Sequence, residues 1–170
     1  MREHGRGAEA NRHYISALEL AEDVLDEKDP SNRTLAITSN NLACALEEKE
    51  SLTAFENDLM IRAATAARKY WEIAGTWVEI QVAEYRLAKT YLKANKPTEA
   101  LTHAHECDKI CTANRAGDVD MFFAYEALAR AYKAAGEAKK YSEMVDRSRA
   151  LLQKMSDRDK SNFATSLAGL

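Results

Sequence analysis

The sequence predicts an all-α fold, and two observations carry that prediction. First, only 6 Gly and 2 Pro occur in 170 residues. None of them interrupts the long stretches in which apolar residues recur at helical spacing, as expected when the two residues most costly inside a helix mark its ends. Second, no segment of strand length alternates apolar and polar residues between turns, so we expect no β-structure.

The positions of Gly and Pro, together with the capping residues beside them, predict seven or eight helices. Ser31 and Asn32, directly after Pro30, can end one helix and cap the next. Gly75 suits a left-handed turn that closes a helix, and the following Thr76-Trp77-Val78-Glu79 has the pattern of a capping box. Gly117 and Asp118 have the same two roles, since Gly117 can end one helix and Asp118 can begin the next. The predicted helices span residues 8–29, 32–49, 52–74, 77–94, 97–114, 119–135, 138–155 and 157–168.

Composition and charge exclude several functional classes. The chain is 46% apolar and 30% charged, with a net charge of −3, so general nucleic-acid binding, which needs a basic excess, is not expected. No apolar run approaches the roughly 20 residues that cross a bilayer, and the polar segment 1–13 lacks the apolar core of a signal peptide. Three cysteines are typical of a reducing compartment. We therefore expect a cytoplasmic protein with no membrane partner.

Three segments share one internal pattern. Each begins with Leu-Ala and places Leu or Tyr four residues after the leading Leu. A predicted turn follows eight residues after that Leu, and an apolar or small residue follows thirteen residues after it. We expect each leading Leu to be buried near the residue thirteen positions further on. These pairs are Leu42 with Phe55, Leu87 with Ala100, and Leu128 with Tyr141.

The pattern resembles the tetratricopeptide repeat (TPR), a helix–turn–helix unit. Residues 125–132 are similar to its first helix, with Ala129 in place of the usual Gly, and residues 95–101 are similar to its turn and second helix. Residues 17–32 resemble a second helix with its closing Asp-Pro, and the resemblance covers about residues 14–155. The leading Leu residues lie 45 and 41 positions apart, against about 34 in the usual repeat. The chain therefore resembles the long-helix variants of bacterial sensor regulators and motor light chains.

The resemblance implies a right-handed superhelical stack of antiparallel helix pairs, a TPR-like α-solenoid, in which neighbouring pairs bury one continuous core. Its first helices would line a concave groove. We expect one domain over residues 1–170, with the first helical segment either capping the stack or marking a longer protein. The expected parts are repeat units at 32–75, 76–117 and 118–156, a partial N-terminal repeat at 8–30 and a C-terminal capping helix at 157–170.

Candidate chemistry is sparse. His103, Cys107 and Cys111 share one helix face, but zinc needs about four convergent ligands and the chain offers no second cluster. Cys107 also falls where the repeat favours a small buried residue, so we expect this stripe to be largely buried and metal-free. His105-Glu106 begins like a zinc-protease motif, but Lys109 stands where its second His is required. We expect no enzyme, no catalytic residue, no metal and no cofactor.

Two charged features could bind partners. An acidic run between Glu19 and Asp29 either docks a basic partner or, as we prefer, is the solvated face of an amphipathic helix. The second feature is basic: cations recur at helical spacing in two of the expected first helices, where like charges repel unless Glu126 or anions offset them. Surface solvation alone would also place Lys and Arg there. The candidate partner-binding residues are Asn40, Asn41, Tyr85, Arg86, Lys89, Lys93, Arg130 and Lys133.

These observations favour a non-enzymatic scaffold whose concave, locally basic groove holds extended, acidic segments of a protein or peptide. Chaperone-tail binders of the TPR family carry Lys and Arg where this chain has Phe123 and Ala127, so that role is not expected. The alternative is the ligand- or peptide-sensing TPR portion of a bacterial transcriptional regulator. A DNA-binding helix-turn-helix beside the repeats would favour it, and the sequence has none that we recognise. The partner's identity and a homodimer are left open.

Overall fold

The computed structural model describes the backbone of residues 2–170 and the side chains of residues 9–161, 163, 166, 169 and 170. Residues 2–170 form eight helices and contain no strand, so the predicted all-α class is confirmed. No helix among the described residues is both long and apolar enough to cross a membrane. The helices are α1 (Arg2–Val24), α2 (Ser31–Glu47), α3 (Ala54–Ala74), α4 (Trp77–Lys93), α5 (Pro97–Ala113), α6 (Asp118–Ala134), α7 (Ala138–Lys154) and α8 (Asp157–Ala168).

Seven of these helices lie within two residues of their predicted bounds, and α1 does not. The helix predicted over 8–29 begins at Arg2 and ends at Val24. Beyond it, the side chains of Asp26 and Asp29 each accept a hydrogen bond from the backbone N–H two residues further on, at 2.7 and 2.8 Å. Such Asx turns compete with helical hydrogen bonds, and they explain why the segment before Ser31 is a turn.

Three helices end in the same way. At the ends of α4, α5 and α6, a residue with positive φ reverses the chain. The next residue then donates its backbone N–H to the carbonyl oxygen five residues earlier, at 2.8 or 2.9 Å. This is the 6→1 bond of the Schellman motif, which satisfies a carbonyl that the helix leaves open. The reversing residues are Asn95 (φ 57°), Arg115 (φ 52°) and Gly136 (φ 76°).

The expected left-handed turns at two glycines are wrong. Gly75 has φ −111° and ψ −173°, and Gly117 has φ −71° and ψ 171°, so both are extended. At the second of these turns, Arg115 takes the left-handed conformation instead. Helix α3 is closed by an ordinary bond from the Gly75 N–H to the Trp71 carbonyl at 2.8 Å, which needs no left-handed residue.

The chain divides into two compact units, residues 1–76 and 77–170. The first unit contains α1, α2 and α3. Helices α2 and α3 pack against each other, and Tyr14 of α1 donates a hydrogen bond to Ser39 of α2 at 2.8 Å. Of the 13 residues that α2 and α3 bury, 6 are alanine, so their backbones can approach closely. The fully buried alanines of this unit are Ala36, Ala43, Ala63, Ala64 and Ala67.

The second unit contains α4 to α8. Each of its helices packs against the next, and α4 also contacts α6. Successive helix pairs therefore lie side by side, which gives this unit the repeat-like packing that the internal pattern predicted. Leu87 and Leu128 are 2% and 3% exposed, and Ala100 is fully buried, as expected.

The first copy of the pattern behaves differently. Leu42 is only half-buried and Phe55 is 47% exposed, so the expected packing of this pair is wrong. The buried stripe of α2 instead passes through Ala36, Ser39 and Ala43, which places Leu42 at its edge. Helices α4 and α6 each bury more residues than α2 does, and both pack against α5 as well as against each other.

This difference predicts unequal effects of truncating the three leucines. Leu87→Ala and Leu128→Ala should each lower the free energy of unfolding by about 2–5 kcal/mol, the range for a buried leucine that leaves a cavity. Leu42→Ala is the matched control and should cost less than either, because its side chain already contacts water. Urea denaturation followed by circular dichroism measures all three, and equal losses would contradict the burial pattern.

The start of α3 predicts a strongly shifted titration. Thr53 and Glu56 form a capping box, and Lys49 also contacts the Glu56 carboxylate. The hydrogen bonds from Lys49 and then from Thr53 lower the pKa of Glu56 from its ordinary value of 4.5 to about 2. Because the folded pKa is the lower one, this contribution to stability is complete above pH 4.5 and is lost as the pH falls towards 2.

NMR titration of the Glu56 side-chain carboxyl carbon should therefore give a midpoint at about pH 2. Lys49→Met should raise that midpoint, because it removes the largest cause of the shift. An unchanged midpoint in this variant would mean that Lys49 does not hold the carboxylate in solution.

Candidate functional site

Six of the eight predicted partner-binding residues lie on two helices in contact. Helix α4 carries four of them and α6 carries two, both within the unit 77–170. The remaining two, Asn40 and Asn41, belong to α2 in the other unit, where Asn40 donates to the Cys44 sulfur at 3.8 Å. We call the surface on α4 and α6 the basic surface. It consists of Tyr85, Arg86, Lys89, Lys93, Arg130 and Lys133.

Tyr85 connects the two helices of the basic surface. Its ring meets the edge of Phe123 on α6, with centroids 5.5 Å apart, and the Lys89 ammonium lies 5.7 Å from the centre of the Tyr85 ring. Burial, and after it the carboxylate of Glu126, raise the pKa of Tyr85. The phenol is therefore uncharged at physiological pH, and it acts as an aromatic contact between α4 and α6.

Arg130 is bound into the fold. Its Nε donates to Oε1 of Glu126 at 2.6 Å, and Glu126 is only 1% exposed. A buried carboxylate without a cation would be costly, so Arg130 stabilises the packing of α6. One of the five cations is thereby neutralised, and the expected repulsion is reduced by Glu126. The spacing of these two residues, four apart on one helix face, is the signal in the sequence for this pair.

Arg130 and Lys133 also hold backbone oxygens of the C-terminal segment. Nη2 of Arg130 donates to the Ser166 carbonyl at 3.1 Å, and Lys133 Nζ donates to the Leu170 carbonyl. The hydroxyl of Tyr141 on α7 donates to the same Leu170 oxygen at 2.6 Å. Sequence reasoning did not anticipate that this part of the basic surface binds the chain itself, because nothing in the spacing of residues 157–170 indicates which helix they meet.

The predicted His–Cys stripe lies between α4 and α5. Cys107 and Cys111 are fully buried as expected, and both thiols donate to Oε1 of Gln81, at 3.6 and 3.7 Å. The neighbouring Cys111 thiol and burial raise the pKa of Cys107. His103 is half-buried, and its Nδ1 lies 2.7 Å from Oε2 of Glu84, a carboxylate that is 4% exposed. Among the described residues, no group of three or more His, Cys, Asp or Glu is placed to hold a metal ion.

The acidic run has partners within its own unit. Glu19 pairs with Arg62 at 3.1 Å and Glu22 pairs with Lys69 at 2.8 Å, both across α1 and α3. All four side chains are substantially exposed, so water screens each pair and it adds little to the stability of the fold. This part of the run lies on a solvated surface, in agreement with our preferred interpretation.

No protein-family model, curated protein or solved structure matches the chain. The class of the protein is therefore given by its architecture, an all-α protein with repeat-like helical packing. The functional argument rests on the contacts described above.

Because Glu126 is buried, removing its partner Arg130 should lower the free energy of unfolding more than removing an arginine from an exposed ion pair. Arg130→Met should lower the free energy of unfolding by about 3 kcal/mol, since it leaves a buried carboxylate unpaired. Arg147→Met is the matched control. Arg147 pairs with Glu143 at the same spacing and the same 2.6 Å distance, but both side chains are about half exposed, so the expected cost is under about 1 kcal/mol. Chemical denaturation compares the two, and equal costs would contradict the role of burial.

Proposed function

We propose that the protein is a non-enzymatic scaffold that binds acidic segments of a partner protein on the basic surface. The observation that carries the proposal is the placement of five cations on two helices that contact each other, in a chain whose net charge is −3. Two of those cations, Arg130 and Lys133, already donate hydrogen bonds to main-chain oxygens. Residues of this surface therefore have the geometry to hold polypeptide.

For some of these cations, the stability of the helices is already a reason for a positive charge at that position. Lys93 and Lys133 lie in the last turns of α4 and α6, where a cation complements the negative end of the helix dipole. Arg130 neutralises Glu126. Lys89 lies in the interior of α4, where the helix dipole gives no reason for a cation, and its ammonium lies beside the ring of Tyr85. Lys89 therefore carries positive charge in the middle of α4, between Arg86 and Lys93.

A locally positive surface attracts acidic segments and discriminates against basic ones. The attraction acts between partly exposed charges, so it is screened over about 8–10 Å near physiological ionic strength. Binding should therefore be weak to moderate and sensitive to salt. The positive charge of the surface is by itself the reason to expect an acidic partner.

A labelled peptide rich in glutamate tests the proposal by fluorescence anisotropy. Lys89→Glu combined with Lys93→Glu should weaken binding at least tenfold and leave the helical circular dichroism spectrum unchanged. The matched control is Lys109→Glu with Lys139→Glu, which changes the net charge equally on exposed positions of α5 and α7. Arg130 is left intact because its loss would destabilise the fold.

Salt and peptide composition provide the second arm of this experiment. Affinity of the unmodified protein for the glutamate peptide should fall as the salt concentration rises, and a glutamine version of the peptide should not bind measurably. The proposal fails if both double variants bind the glutamate peptide as well as the unmodified protein does. It also fails if the glutamine peptide binds equally well.

A further inference from the structure

Helix α4 carries a stripe of side chains that changes from apolar to basic along one face. Its members follow one another three or four residues apart, which places them on the same side of the helix. The two valines at the start are 40% and 43% exposed, and the lysine at the end is exposed as well. The stripe consists of Val78, Val82, Arg86, Lys89 and Lys93.

Helix α6 extends the apolar start of this stripe. The offset of 41 residues between the second and third copies of the internal pattern also relates Val78 to Val119. These equivalent valines are 40% and 38% exposed. Gln81 donates to Asp120 at 3.1 Å, which holds the starts of the two helices side by side. We call Val78, Val82 and Val119 the apolar end of the basic surface. Apolar side chains exposed together beside charged ones are typical of an interaction surface.

Helix α1 ends in a surface of the opposite charge. Four acids of the run are used by the fold itself, two in ion pairs with α3 and two in the turn before Ser31. Two further acids, Asp23 and Glu27, are exposed. Beside them Leu20 and Val24, one helical turn apart, are 63% and 67% exposed. We call Leu20, Asp23, Val24 and Glu27 the acidic end of α1.

The basic surface and the acidic end of α1 are complementary in two ways. Both combine exposed apolar side chains with charges, and their charges are opposite in sign. A contact between them would remove apolar surface from water and pair carboxylates with ammonium groups. A contact between two basic surfaces, or between two acidic ends, would instead bring like charges together. The charge pattern therefore favours a contact between unlike surfaces, and every copy of the chain carries both of them.

We propose that the occupant of the basic surface is the acidic end of α1 from a second copy of this chain. Leu20 and Val24 of the second copy cover the apolar end, and its two carboxylates lie beside Lys89 and Lys93. The inference rests on the proposed function, because the second copy is then the acidic partner that the basic surface binds. The contacts of α6 with the C-terminal segment stay as they are, since the stripe lies on α4.

Two charge-reversed chains test the contact by complementation. One carries Asp23→Lys with Glu27→Lys, and the other carries Lys89→Glu with Lys93→Glu. In sedimentation experiments the unmodified chain should self-associate as its concentration rises, and salt should weaken this association. Each variant alone should self-associate at least tenfold more weakly. An equal mixture of the two should associate at least tenfold more tightly than either alone, whereas a contact within one chain would not respond to mixing.

Matched controls change the same net charge elsewhere. Lys109→Glu with Lys139→Glu and Glu50→Lys with Asp58→Lys reverse exposed charges outside both surfaces, and these chains should self-associate as the unmodified chain does.

The apolar half of the contact has its own variant. Leu20→Ser with Val24→Ser leaves the net charge unchanged and should weaken self-association at least tenfold, because it removes exposed apolar surface from the acidic end. Circular dichroism should be the same for all of these chains, since every substituted side chain is exposed or half-buried.

The glutamate peptide separates this inference from the proposed function. If the peptide binds the unmodified chain through Lys89 and Lys93 and dissociates its oligomers, both proposals are supported. If the peptide binds but the unmodified chain stays monomeric, only the second copy fails as the occupant and the proposed function stands. Self-association that is equal in all variants, or a mixture that associates no better than its components, also overturns the inference. If neither the peptide nor a second copy binds, both proposals fail.

Discussion

Close contact between helices through alanine is the constraint on which both units depend. In the unit 77–170, α4, α5 and α6 meet at fully buried alanines, which keep the backbones near each other. Leu128 packs in the same buried cluster. Because α4 also contacts α6, cations that lie 37 or more positions apart in sequence are carried by two helices in contact. The alanines are Ala88, Ala100, Ala104, Ala127, Ala129 and Ala131.

The same close packing explains the polar side chains in the interior. A buried polar group is costly unless it is hydrogen-bonded, and each of the main cases has a partner on a neighbouring turn or helix. Gln81 of α4 donates to Asp120 of α6 at 3.1 Å and accepts from the two thiols of α5, so it joins three helices. Glu84 meets His103, and Glu126 meets Arg130. The contacts of Gln81 and Glu84 cross between helices and so help to fix which faces of α4, α5 and α6 meet, whereas the Glu126–Arg130 pair lies within α6.

Arg130 connects the interior of the fold to its candidate function. The guanidinium presents several donors in a planar fork, so one side chain can neutralise Glu126 through Nε and still bind the Ser166 carbonyl through Nη2. A lysine could not make both contacts with the same geometry. The basic surface is therefore not a separate addition to the fold, since its central cation is part of the packing. Lys133 contributes to the same attachment, since it donates to the main-chain oxygen of Leu170.

The sequence by itself determined the helical class, the bounds of α2 to α8 within two residues, and the burial of Leu87, Leu128 and Cys107. Each of these follows from local periodicity and from residues that end helices, which act over a few positions. It misplaced the end of α1, because the hydrogen bonds of Asp26 and Asp29 override apolar spacing.

Only the tertiary structure decided that Leu42 lies at the edge of its stripe, that Glu126 is buried, and that Arg130 and Lys133 hold main-chain oxygens of the C-terminal segment. Those outcomes depend on which helix faces which. That choice is made by the packing of residues far apart in the chain, whose spacing carries no local signal.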